Sequence, residues 1–463
     1  MSAPEDLLER IRLRLDESFV GIGEVVAELQ PADIADLVNQ LTRQEAAAVM
    51  SMLAVPRAVE VCDQPTLNRR SAILEQMDPG RAAHILDGLS SDERTWVVRG
   101  MGEYGRRRLL PKLSAEVRAE VERLLQYPPH SAGGIMTTEF VRLDPAWTVG
   151  ECLTHVRLVA REKESIYACY VMEPGTGRLL GSVSLRDLVM AELDQPVEKV
   201  MRKKPVTVNA LDDREVVAGK IAKYNLLAVP VLEKDGSVAG FVTVDDVVDV
   251  MIEEGTEDAL RMGAVEPGGM DEPYVATPFW TLVRKRAGWL IVLFLSEMLT
   301  ATAMGRFEAE IARAVVLALF VPLIISSGGN SGSQAASLII RALAVGKLRV
   351  RDWWLVMRRE FLSGLTLGSV LGFVGFLRIT IWSLLSPQTY GPHWPLVALT
   401  IWVSLIGVVM WGTLSGSLLP LVLKKAGLDP AVSSAPFVAT LVDVTGIVIY
   451  FQVAAFILKG TLL

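Results

Sequence analysis

The chain has 463 residues, 51% of them hydrophobic, and a mean hydropathy of +0.36, too polar for a wholly membrane protein and too apolar for a soluble one. Its net charge of −7 divides unevenly: residues 1–275 carry 31 Lys and Arg against 46 Asp and Glu, whereas residues 276–463 carry 15 against 7. The acidic half argues against nucleic acid, which needs a basic footprint, and scattered cysteines (Cys62, Cys152, Cys169) and histidines argue against a disulfide framework or soft-metal site.

The opening MSAPEDLLERIRLRLDE has neither an apolar core nor a small-residue cleavage site, so it reads as no signal peptide and the acidic half is expected in the cytoplasm. Residues 1–130 read as helices only. QPADIADLVNQLTRQEAAAVM and DPGRAAHILDGLSSDERTWVV align at a shift of 48 residues, pairing Pro31 with Pro79, Leu37 with Ile85 and Leu41 with Leu89. Each Pro stands where a helix begins and apolar residues follow at helical spacing, which predicts a short superhelical solenoid. YPPHSAGG at 127–134 breaks the pattern as a linker.

Residues 135–255 alternate strands and helices twice. The second unit predicts a strand at 206–208, a helix over 213–223, strands LLAVPVLE and VAGFVTV about a turn at 234–236, and a helix from Asp245. The first unit repeats this order with YACYVME, GRLLGSVSL and a helix after Arg186. The second unit's AVPV strand and G-x-V-T-x-D-D-V closure, matched more loosely by the first unit, resemble a tandem pair of CBS domains, a likeness that implies a regulatory α/β module often holding an adenine nucleotide. A bridging helix follows, with Asp249, Glu253, Glu254, Glu257 and Asp258, and EPGGMDEPY ends it before Arg284, Lys285 and Arg286.

Five apolar segments come next, at about 287–304, 315–343, 361–385, 395–423 and 432–458, each long enough for a hydrocarbon core that needs ~20 residues. Basic residues concentrate on one side of them, which predicts a cytoplasmic N-terminus and, with an odd number of spans, an extracytoplasmic C-terminus. The second segment contains PLIISSGGNSGSQAA, 322–336. Polar or irregular backbone at that depth is tolerated when buried in protein or lining a water path. Gly328 and Gly332 equally form a GxxxG pair of the kind that packs membrane helices, and Gly364, Gly368, Gly372, Gly412 and Gly416 make further faces of that kind. In PFVATLVDVTGIVIYF, Asp443 reads as the only carboxylate deep in a span. A charge there costs ~2.5–3.5 kcal/mol on insertion scales, and no basic residue shares its depth except Arg378, nearer a helix end. Carboxylate, amide and carbonyl oxygens favour Mg²⁺, Ca²⁺ or Mn²⁺. Mg²⁺ keeps several waters, so one or two carboxylates suffice, and a single one per chain points to a dimer.

In combination, PLIISSGGNSGSQAASLIIRALAVG, DPAVSSAPFVATLVDVTGIVIY and TEDALRMGAVE are similar to signature segments of the MgtE family of magnesium channels. The resemblance implies an all-α N-domain (1–130), an α/β CBS pair (131–198 and 199–248), an acidic bridging helix and linker (249–283) and a five-helix transmembrane domain (284–463). It also implies a homodimer in the bacterial inner membrane and no enzymatic activity. By the same likeness Asp443 is the selectivity carboxylate, with Ala439, Asn330, Gly328 and Gly329 near the ion, and Glu308 and Asp429 at the outer and inner mouths. Regulatory Mg²⁺ would fall to Asp92, Asp213, Glu215, Asp246, Asp249, Glu254, Glu257 and Asp258, and ATP to Tyr170, Arg186 and Asp187. One departure is KYNLLAVP, where Asn225 and Leu226 stand in place of an acid and an aromatic. A transporter of another divalent ion (Co²⁺, Mn²⁺) and a non-conducting membrane-anchored adenylate sensor are the rival readings; the second leaves Asp443 without a role.

Overall fold

The computed structural model describes residues 29–268, 274 and 277–462. The expected N-domain helices within 1–28, the signal-peptide reading made there, and most of the EPGGMDEPY break lie outside the described residues. The chain divides into two compact units, meeting between Glu254 and Gly255.

Among the described residues, the first unit opens with eight helices: α1 (Pro31–Asn39), α2 (Arg43–Met52), α3 (Val55–Cys62), α4 (Arg70–Gln76), α5 (Pro79–Gly88), α6 (Ser91–Gly100), α7 (Glu103–Leu109) and α8 (Ala115–Leu124). Odd-numbered helices pack on odd and even on even, giving two layers around a core that includes Ile34, Met50, Ile73, Leu74 and Leu86. Helices α1, α3, α5 and α7 begin at 31, 55, 79 and 103, so the structural repeat is 24 residues and the 48-residue period spans two of them. The shorter repeat has its own chemical mark. Arg57 bonds the carbonyl of Leu29, and Arg81, 24 residues on, bonds that of Leu53. Proline at the first turns of α1, α3 and α5 costs no hydrogen bond, because those amides have no helical partner.

Two three-stranded sheets follow. The first joins β1 (Val141–Leu143), β2 (Ala168–Met172) and β3 (Leu179–Ser184), with α9 (Val149–Val159), α10 (Leu185–Met190) and α11 (Val197–Val200). The second joins β4 (Val208–Asn209), β5 (Ala228–Leu232) and β6 (Val238–Thr243), with α12 (Arg214–Tyr224). In both, the first pair is parallel and the second antiparallel. Each sheet borrows from outside its own strands: Thr137 bridges to Phe241 of β6, and Arg202 to Ser182 of β3. The expected strand at 206–208 is confined to Val208 and Asn209. Helix α13 (Val244–Met262) starts in the first unit and ends in the second.

The second unit has α14 (Phe279–Arg306), α15 (Glu308–Arg313), α16 (Val315–Ala318), α17 (Val321–Ala344), α18 (Trp353–Leu385), α19 (Trp394–Lys425) and α20 (Ala435–Ile457). Among the described residues, five stretches are long and apolar enough to cross a membrane: α14, α16 with α17, α18 with the turn before it, α19 and α20. Their core centres on Leu317, Ile324, Val408, Val442, Ile447 and Phe451. Outward faces of α14 and α18 leave Phe294, Leu295, Met298, Val370 and Val374 exposed, which suits lipid as the surrounding solvent.

Candidate ion path and cation-binding cluster

The polar stretch of the second span is regular helix inside α17. Its small residues divide by face. Gly328 and Gly332 meet Gly412 and Gly416 of α19 so closely that a methyl group on either α19 glycine would overlap an α17 carbonyl oxygen. Small residues allow such backbone approach, so the packing alternative holds for Gly328. Gly329, one residue on and ~100° around the helix, faces α20. A Cβ there would lie 3.4 Å from Ala439 Cβ and 3.7 Å from Asp443 Oδ1. Ser333 Oγ donates to the Ala435 carbonyl at 3.0 Å along the same seam. Asp443 is half-buried and Asn330 exposed, its amide nitrogen 3.3 Å from Ser326 Oγ. Glu308 is exposed at the start of α15.

Asp443 is not the only deep carboxylate. Glu297 lies well inside α14, a helix packed against α20, and within electrostatic range of Asp443. No hydrogen bond or ion pair holds it among the described residues. Sequence reasoning passed over it because the surrounding LFLSEMLT is otherwise apolar; an acid inside an apolar window was the available signal.

In the first unit, carboxylate oxygens of Asp92, Glu164 and Asp246 all lie within 4.8 Å of one another. They come from α6, the loop before β2 and the first turn of α13. Asp92 is buried and its Oδ1 lacks a hydrogen-bond partner. Asp246 accepts from the Thr243 amide at 3.1 Å and from the Thr243 hydroxyl. All three carboxyls are pushed above their ordinary values, by burial first and then by neighbouring acids. Much of the Glu164 side chain is exposed, so desolvation acts on its inward carboxyl end. Oxygen donors that repel one another, one of them orphaned, suit a hard divalent cation. Glu164 escaped the sequence reading because it sits in a loop with no motif.

A second acidic group surrounds buried Arg70, which pairs with Glu93. Burial pushes Glu93 up to about 7, with Arg70 opposing and Asp63, Asp246 and Asp249 adding to the rise. Helix α6 is held to the segment ahead of β1 by Ser91 Oγ, which accepts the Thr138 amide at 2.8 Å, and to α8 by Arg94, 3.1 Å from Glu120.

The other expected regulatory acids have different surroundings. Asp213 caps α12, accepting from the Glu215 amide at 2.8 Å. Glu254, with Glu253, pairs with buried Arg214 at 2.6 and 2.7 Å. Glu257 and Asp429 both bond Arg261. Asp258 is half-buried on the last turns of α13.

For the nucleotide, Arg186 is exposed and Asp187 lies in the first turn of α10. Tyr170 requires a correction. It is 1% exposed and packs edge-on against Phe140 and tilted against Phe241, in a cluster joining the two sheets, so its ring has no face for an adenine.

Comparison with known proteins matches the MgtE intracellular N domain to residues 29–130, CBS domains to 132–194 and 197–253, and the MgtE divalent cation transporter domain to 321–453. The chain is 38% identical over 460 residues to the magnesium transporter MgtE of Thermus thermophilus, covering 98% of this chain and 99% of that one. It is 29% identical to the magnesium transporter MgtE of Bacillus subtilis, over 98% of each. Among solved structures it is similar to the cytosolic domain of the Mg²⁺ channel MgtE in complex with ATP, at 34% identity and a TM-score of 0.48, over 52% of this chain and 99% of that one. Three family regions in the same order, with identity of this extent over nearly the full length, place the chain in the MgtE family of divalent cation transporters.

Proposed function

We propose that this chain forms a homodimeric channel carrying Mg²⁺ into the bacterial cytoplasm across the inner membrane, with its N-terminus inside and its C-terminus outside. The observation that carries the reading is Asp443 in mid-helix on α20, set against the bare backbone of Gly329 on α17. A carboxylate at that depth is expensive without a cation. Two of them on a shared dimer axis would repel, and a divalent ion removes that penalty while retaining most of its waters. Asn330 and Gln334, exposed on α17 in the single chain, are then available to orient those waters. Glu297 adds negative potential beside the path. Glu308 and Asp429 are the acids assigned to its outer and inner mouths.

Cytosolic Mg²⁺ closes the channel by binding among the acids of the first unit. Asp92, Glu164 and Asp246 form its best-defined site, and Asp249, Asp213, Glu215 and Glu254 supply secondary carboxylates. ATP, if bound by the CBS pair, contacts Arg186 and Asp187 rather than Tyr170.

The test is Mg²⁺ uptake into liposomes holding the purified protein and an internal Mg²⁺ dye. Wild type takes up Mg²⁺, and Asp443→Ala, still dimeric by light scattering, does not. Wild-type flux through Asp443→Ala sinks the path. Parallel uptake of Co²⁺ and Mn²⁺ decides whether the cargo class is wider than Mg²⁺.

A further inference from the structure

The end of α13 is fastened within the second unit by one arginine. Arg261 Nη2 lies 3.0 Å from Glu257 Oε2, one turn back on the same helix. Its Nη1 bonds Asp429 Oδ2. Asp429 is itself fixed, because its other oxygen accepts the Ala431 amide at 2.8 Å, capping the turn Pro430–Val432 that leads into α20. Around this joint Met262 packs against the apolar core of the unit, and the Glu266 amide donates to the Lys285 carbonyl at 3.2 Å.

Two carboxylates from different elements therefore face each other with a cation between them. The family resemblance gives both acids to Mg²⁺, but a guanidinium lies between them. It differs from an ion in being covalently attached, and so present and charged at any Mg²⁺ concentration. We propose that Arg261 is a positioning residue that clamps the end of the bridging helix to the loop ahead of α20, so that this joint holds without Mg²⁺. Mg²⁺ sensing is thereby left to the carboxylates of the first unit. The clamp stands on the geometry of Arg261; its consequence for gating rests on the Mg²⁺-channel reading above.

The side chains are a quarter to a third exposed, so the clamp is strong enough to position the helix and weak enough to respond to its neighbours. Removing the guanidinium leaves Glu257 and Asp429 close and unneutralised. A divalent ion then becomes the natural replacement, and the joint acquires a Mg²⁺ dependence that the wild type lacks.

Hydrogen exchange of residues 255–268 in the full-length protein, with EDTA or with millimolar Mg²⁺, reads the joint directly. The wild type is expected to be equally protected in both. Arg261→Gln should exchange at least tenfold faster in EDTA and regain protection with Mg²⁺, while Arg261→Lys keeps part of the EDTA protection. Arg261→Gln combined with Asp429→Asn removes the repulsion and should lose the Mg²⁺ response, which separates a clamp from general damage. Wild-type protection of Arg261→Gln in EDTA overturns the proposal, as does lost protection that Mg²⁺ does not restore. Mg²⁺ uptake by the wild type, measured alongside, reports on the channel reading independently of the clamp.

Discussion

Replacing Asp92 by Asn tests the proposed cation site of the first unit with almost no change of shape. The three carboxylates of Asp92, Glu164 and Asp246 lie within 4.8 Å of one another. At that separation two unit charges repel by ~1 kcal/mol in water and by ~3.5 kcal/mol at an effective dielectric of about 20. Pairs involving the largely exposed Glu164 belong nearer the lower figure. Asparagine at 92 removes two of the three repulsions without Mg²⁺, so the Mg²⁺-free cluster should hold together better. It also removes one of three charged ligands, an attraction of ~1.4–3 kcal/mol, so half-saturation should need ~10–100 times more Mg²⁺. The assay is protease protection of the segment around Asp246 in full-length protein, titrated with Mg²⁺. Asp92→Asn should raise protection in EDTA and move the Mg²⁺ midpoint upward. A midpoint within twofold of wild type would show that Asp92 is no ligand of the Mg²⁺ being titrated.

The raised carboxyls of the same cluster set a pH dependence. Acids whose folded values exceed their unfolded ones favour the folded state fully below about pH 4 and lose that contribution as pH rises through the raised values; the Mg²⁺-free protein should thus melt lower at pH 8 than at pH 5.5, with Mg²⁺ closing the gap. For the nucleotide, Arg186→Ala should weaken ATP binding measured by calorimetry, whereas Tyr170→Phe, altering a buried hydroxyl, should leave it unchanged. Glu297→Gln should lower the rate of Mg²⁺ uptake at submillimolar Mg²⁺ by severalfold while the protein still elutes as a monodisperse species; unchanged uptake would leave Glu297 facing lipid without a role.

Where the signal was local, the sequence carried it. Proline at helix starts, the alternation of strands and helices, and five apolar runs are each set by residues within one element. The solenoid period was read as 48 instead of 24 because Val55, not proline, opens α3; Pro56 stands one place later and breaks the alignment of first residues. Tyr170 looked available because burial on a strand depends on what stacks across the two sheets, here Phe140 and Phe241, from segments 30 and 71 residues away. The carboxylate cluster of the first unit was half legible. Asp92 and Asp246 were named from chain order and likeness, but only the folded chain brings the loop with Glu164 to them. Ion pairs were the least legible feature: nothing in the spacing tells that Arg214 takes Glu254, or that Arg261 takes Asp429 across 168 positions.

The glycine-rich stretch of α17 is compatible with both packing and an ion path, and the folded helix turns its adjacent glycines to different neighbours. Successive residues on a helix point ~100° apart, so Gly328 and Gly329 meet different neighbours. A methyl group at Gly328 would lie 2.5 Å from Val408 Cγ1 and 2.8 Å from Val442 Cγ1, inside a fully packed seam. Overpacking of that kind costs ~1–3 kcal/mol. At Gly329 the same methyl meets Ala439 Cβ at 3.4 Å and Asp443 Oδ1 at 3.7 Å, ordinary contacts that need no backbone shift. It would instead cover the carboxylate with hydrocarbon and deny it the waters a hydrated cation brings. Gly328→Ala should therefore lower the melting temperature in detergent, while Gly329→Ala melts like wild type but conducts Mg²⁺ poorly in liposomes. The reverse pattern, with Gly329→Ala unstable or fully conducting, would return both glycines to packing and leave Asp443 to act without α17.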